Sequence, residues 1–109
     1  MNGKVINRSS RVLWVVENTG HRNNPIAHQL APNLQSPGGI DADGFRAVDN
    51  SVTVDGHRSW IKIRDVATAT VTDRGANLTH DCYFSSKVQD GEFGAVTFRN
   101  NPGWGEPIS

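Results

Sequence analysis

A chain of 109 residues carrying 11 basic and 11 acidic side chains has no net charge with which to gather nucleic acid or an anionic membrane surface. Its 36% hydrophobic and 20% charged content is that of a globular protein and excludes an intrinsically disordered one. A single cysteine, Cys82, excludes an intrachain disulfide, so a covalent clamp plays no part in the expected fold. The aliphatic residues then set the class. Val and Ile number 17 against 5 for Leu and Met together, and branching at Cβ favours a pleated strand over a helix. Eleven Gly and 10 Asn add turn positions, while helix formers such as Glu and Lys number 3 each.

No apolar run near Met1 is long enough for a signal peptide, and no stretch approaches a membrane span, so synthesis in the cytoplasm is the expectation. In chain order, Arg11 to Glu17 (Arg-Val-Leu-Trp-Val-Val-Glu) is apolar on both sides, which predicts a strand covered on both faces. Asn18-Thr19-Gly20 ends it, and residues 21–25 read as a polar loop. Ile26 to Leu30 follows as a short second strand. Periodicity then lapses from Ala31 to Gly44, where Pro32, Pro37, Gly38 and Gly39 predict the longest loop. Phe45 to Val48 alternates weakly.

Asp55-Gly56 between Val52-Thr53-Val54 and His57 to Asp65 predicts a two-residue hairpin turn. From Val66 to Thr72 the threonines at 68, 70 and 72 share one side and Ala67, Ala69 and Val71 the other, a half-exposed strand. Its small inner residues leave room for Trp14 or Trp60 to pack across. Cys82-Tyr83-Phe84 and Ala95 to Arg99 are further strand candidates, and the tail from Asn100 shows no regular pattern. About six to eight short strands with turns between them predict an all-β chain: a small antiparallel β-sandwich, or a partly open barrel, as one domain over residues 1–109. The contexts of Trp14, Trp60 and Trp104 do not match one another, which argues against a threefold repeat.

Catalytic signals are thin. His57 follows the predicted hairpin turn beside Asp55, but that turn already accounts for Asp55 and Gly56, leaving His57 and Arg58 as solvated strand residues. His80 and Cys82 share a strand face about 7 Å apart, which permits a base and a thiol to meet. A lone Cys between Asp81 and the Tyr83-Phe84 pair is more often a small buried core residue. The four histidines lack zinc spacing, and Gly38-Gly39 lacks the Lys and helix of a phosphate loop. Asp41 and Asp43 begin like a calcium loop, but Phe45 stands where a third oxygen is needed, Gly44 falls too early, and Val52 replaces the closing Glu. Asp41, Asp43 and Asp49 together are thus a candidate cation site only as loop carboxylates, and the same residues also suit turns.

Binding features are stronger. Trp60, Lys62 and Arg64 fall on one face of a strand and combine stacking with charge, and Trp104, set between Gly103 and Gly105, either plugs the sandwich or meets a partner. The expected function is therefore a non-enzymatic protein-binding or assembly module, either a subunit of a larger particle or an inhibitor- or immunity-type partner. Its contacts would come from Trp60, Lys62, Arg64, Trp104 and the loop at 32–44. A membrane- or glycan-binding sandwich, calcium-assisted through Asp41, Asp43 and Asp49, is the second expectation. A small hydrolase using His57 or Cys82 is the third. No other cofactor, and no nucleic acid, is expected.

Overall fold

A computed structural model of the protein describes residues 3–17, 25–48, 61–62, 68–73, 75–78, 96–101 and 103–108. The described residues form strands and no helix. These are β1 (Lys4–Asn7), β2 (Leu13–Glu17), β3 (Ile26–Leu30), β4 (Leu34–Gln35), β5 (Ala42–Ala47), β6 (Ile61–Lys62), β7 (Thr68–Thr72), β8 (Gly75–Leu78), β9 (Thr97–Arg99) and β10 (Glu106–Pro107). They build two sheets, ordered β10-β4-β1-β7-β8 and β6-β5-β2-β3-β9, which face each other as a small β-sandwich. Among the described residues β4, β6 and β10 are two-residue strands, and the seven longer ones match the expected six to eight.

The core lies where the inner faces meet. Val5, Ala69 and Val71 from the first sheet pack with Leu13, Val15, Leu30, Ala42 and Phe45 from the second, all at most 1% exposed. At about 25 cal/mol per Å² of apolar surface removed from water, this layer is the main favourable term in folding. On β7 the alternation is as the sequence predicts, with Ala69 and Val71 buried and the three threonines half-buried. On β2 the double-sided apolar pattern has its counterpart in the burial of both Val15 and Val16, which point to opposite faces.

Two pairings depart from an antiparallel plan. β1 runs parallel to β7, matching Val5 to Ala69 and Asn7 to Val71, and β3 runs parallel to β9. Parallel neighbours join segments far apart in sequence, so periodicity within either strand carries no sign of them.

The stretch from Ala31 to Gly44 is not a long loop. It contains β4, which pairs with both β1 and β10 inside the first sheet, and the start of β5. Its Pro and Gly residues serve two tight turns. Leu34 N–H donates to the Ala31 carbonyl (3.3 Å), and Asn33 has φ 67°, the arrangement of a type II turn with Pro32 in the position its ring suits. Ile40 N–H donates likewise to the Pro37 carbonyl (3.2 Å), with Gly39 at φ 89°. Ser36 between them ties the segment to β1: its N–H donates to the Val5 carbonyl (2.8 Å) and its Oγ accepts from Val5 N–H (3.0 Å).

The chain crosses from the first sheet to the second through Asn7, which has no exposed surface. Its Nδ2 donates to the carbonyls of Arg11 (2.8 Å) and Leu30 (2.9 Å), and its Oδ1 accepts from the Ser9 N–H (3.0 Å) and hydroxyl (2.6 Å). Both amide donors and both lone pairs are used, which is what allows so polar a side chain to lie in the interior.

Candidate functional site

The second sheet has an outward face with its own small apolar cluster. Side chains alternate along a strand, so Trp14 and Val16 on β2 point away from the core that holds Leu13 and Val15. Cross-strand register sets Ala27 beside Val16, and Phe98 beside Ala27. Val16 and Ala27 are fully buried there, with Trp14 and Val96 packed over them. Trp14 and Phe98 meet edge to face, their centroids 4.9 Å apart and their planes at 68°. The Arg46 guanidinium lies 5.6 Å from the Phe98 centroid, within reach of its π face. Phe98 itself is 47% exposed, on the edge strand β9.

This location corrects one packing expectation. Trp14 does not fill the space above Ala69, because its strand position points it to the outward face. On the core side the tryptophan that packs against the core cluster is Trp104, beside Leu34.

Trp104 belongs to a second constellation, at the sandwich edge. Its indole stacks on the imidazole of His28, centroids 4.4 Å apart and planes within 5°. His28 is 7% exposed, and its Nε2 lies 2.7 Å from Oε2 of Glu17. Its Nδ1 lies 2.9 Å from Nδ2 of Asn101, whose Oδ1 accepts from the Gln29 N–H at 3.4 Å. Tail and strands thereby converge on one ring. Beyond Trp104, Gly105 adopts φ 113°, and a Cβ there would stand 2.8 Å from Leu30 Cδ1 and 3.1 Å from the Gln35 carbonyl, so glycine alone fits the path. β10 then pairs with β4, and Gln35 Nε2 donates to Glu106 (3.1 Å).

The other site residues named from the sequence separate. Trp60, Arg64, Asp49, His57 and Cys82 lie outside the described residues, as do the Asp55-Gly56 turn and the strand at 82–84. Lys62 falls on β6, opposite Gly44 of β5, in the register row that continues through Val16 and Ala27 to Phe98. Asp41 has one carboxylate oxygen engaged by the Gly3 N–H (2.9 Å), a structural bond joining the start of the chain to β5, on which Asp43 lies half-buried. Among the described residues no three His, Cys, Asp or Glu side chains come together as a metal site would require. A shallow depression of about 340 Å³ separates Gly3 and Lys4 from residues 36–40, and among the described residues Lys4 is the one charged side chain lining it.

Sequence reasoning passed over Phe98, Arg46 and the partners of His28. The first two carry no local signal beyond an aromatic and a cation on separate strands. The partners of His28 stand 11 residues before it and 73 after it. Compared with protein-family models, curated protein sequences and solved structures, the chain has no match in any of the three.

Proposed function

We propose that the protein is a non-enzymatic binding or assembly module that engages a protein partner through the outward face of its second sheet. The observation that carries this reading is Phe98, an aromatic ring half in solvent beside Trp14, Val96 and Arg46, above a buried Val16-Ala27 pair. Trp and Arg are the residues most enriched at interface hot spots, and a shielded apolar floor under a partly open aromatic is a setting that a partner can complete. The row that ends at Phe98 begins at Lys62, so the residue expected from sequence to make contact occupies the same sheet. A sugar-stacking platform uses aromatic faces lying in one plane, and the 68° between Trp14 and Phe98 favours a protein surface over a glycan. Trp104, stacked on His28 and half-buried, fits the plug role rather than that of an anchor.

The test is native mass by light scattering on untagged protein purified from its own host, beside a Phe98→Ser variant. The expected result is a species heavier than the 11.9 kDa chain, with Phe98→Ser returning it to the chain mass at an unchanged melting temperature. Wild type and variant with the same mass and the same bound species would overturn the reading.

A further inference from the structure

The amide of Asn101 fixes the protonation state of His28. Its Oδ1 faces the Gln29 N–H, which can only donate, so its Nδ2 is the end presented to the ring. Nδ1 of His28 must then be an unprotonated acceptor, and Nε2 carries the hydrogen that is donated to Glu17. The ring held in this network is neutral. A second proton would have to enter at Nδ1, where it would point at the two hydrogens of an NH2 group.

The neighbours respond unequally. Glu17, at 2.7 Å, is a carboxylate that gains from an imidazolium, and the Trp104 face tolerates a cation stacked upon it. Arg99, the register neighbour of His28 on β9, is exposed and has its charge in water. These are the charged groups on the described elements packed around the ring: Glu17 from β2 and Arg99 from β9. The conflict therefore falls on Asn101. Turning its amide over would relieve the ring but set NH2 against the Gln29 N–H. Asn101 is also the acceptor of the turn leading to Trp104, whose N–H donates to its carbonyl at 3.0 Å.

We propose that His28 is a proton-responsive latch on the C-terminal segment: neutral, it holds Asn101 and the turn to Trp104, and protonated, it releases them while keeping Glu17. This inference is independent of the outward face of the second sheet.

The measurement is amide exchange by NMR at Trp104, referred to the exchange rate of an unstructured chain at each pH. In the wild type, protection falls about fivefold from pH 8 to pH 5, the loss of roughly one neutral hydrogen bond. With His28→Gln, which takes up no proton, protection is the same at both values. With Asn101→Asp, whose carboxylate accepts from the protonated ring, the dependence reverses and protection rises on acidification. Wild-type protection that is flat with pH, or a fall that persists in His28→Gln, overturns the proposal. Should His28→Gln fail to fold, a fall in Asn101→Asp equal to that of the wild type overturns it equally.

Discussion

The backbone passes between the two sheets at several described places, and two of those crossings, β1 to β2 and β9 to β10, are built on opposite principles. Between β1 and β2 the hinge is Asn7, sealed from water, with every donor and acceptor of its amide matched. Between β9 and β10 the turn leans on His28 of β3, which keeps 7% exposure and can take up a proton that its amide neighbour opposes. A side chain with no titration in the accessible range makes a permanent joint. A titratable one in the same kind of enclosure makes a conditional joint. The fold thus fixes its N-terminal strand absolutely and its C-terminal segment according to conditions.

The sharpest way to break this contrast is Asn7→Asp. The buried Leu30 carbonyl and the part-buried Arg11 carbonyl would each lose the amide donor and face a carboxylate instead. An unsatisfied buried group costs about 1–3 kcal/mol and a buried carboxylate facing carbonyls adds to it, so a loss of about 3 kcal/mol is expected, read from the midpoint of urea unfolding. An Asn7→Asp protein with an unshifted midpoint would mean that the crossing does not depend on this amide. Next in size is Gly105→Ala. The added methyl meets Leu30 at 2.8 Å on a backbone with φ 113°, and about 1–3 kcal/mol of strain is expected. That strain should appear as faster amide exchange at 104–107 with the exchange of β7 left in place. Equal acceleration in both regions would show that the tail and the first sheet open together.

The smallest effect belongs to Asp73, which guards the outside of the first crossing. Its Oδ1 accepts from the N–H (2.8 Å) and hydroxyl (2.9 Å) of Ser10, with Arg11 at 4.0 Å. The hydrogen bonds from Ser10, foremost the backbone one, hold its carboxyl below the ordinary value of 3.8, and Arg11 adds a lesser pull in the same direction. A depressed acid contributes stability above its unfolded-state value and loses it as the pH falls through the folded one. Asp73→Ala should therefore slightly lower the melting temperature near neutrality and flatten its decline below about pH 4. An identical acid limb in wild type and variant would remove Asp73 from the account.

How much of this was legible beforehand follows from the range of each interaction. The Thr68–Thr72 alternation and the double-sided burial of β2 are properties of consecutive residues, and a β-rich composition fixed the class. β4 was hidden because two residues between turns have no period to display. Asn7 reads in isolation as a turn residue, and nothing adjacent to it announces that Leu30 supplies one of its partners. The outward cluster needed the register: Trp14 and Phe98 become neighbours only once β2, β3 and β9 are aligned. Trp104 was visible as an aromatic between glycines, but the imidazole beneath it was not.

The parallel pairing of β1 with β7 has a consequence for how the molecule is made. Val5 waits for Ala69, and Asn7 for Val71, so the central ladder of the first sheet spans 64 residues of chain. During synthesis β2, β3 and β5 can meet soon after they emerge, whereas β1 must remain apart from β7 until that later strand leaves the ribosome. Closing so long a loop costs entropy before the contact returns anything, and chains dominated by such pairings fold in milliseconds to seconds. The β2-β3-β5 part of the second sheet is thus positioned to form early and serve as the template, with the two parallel additions, β7 beside β1 and β9 beside β3, made on it later.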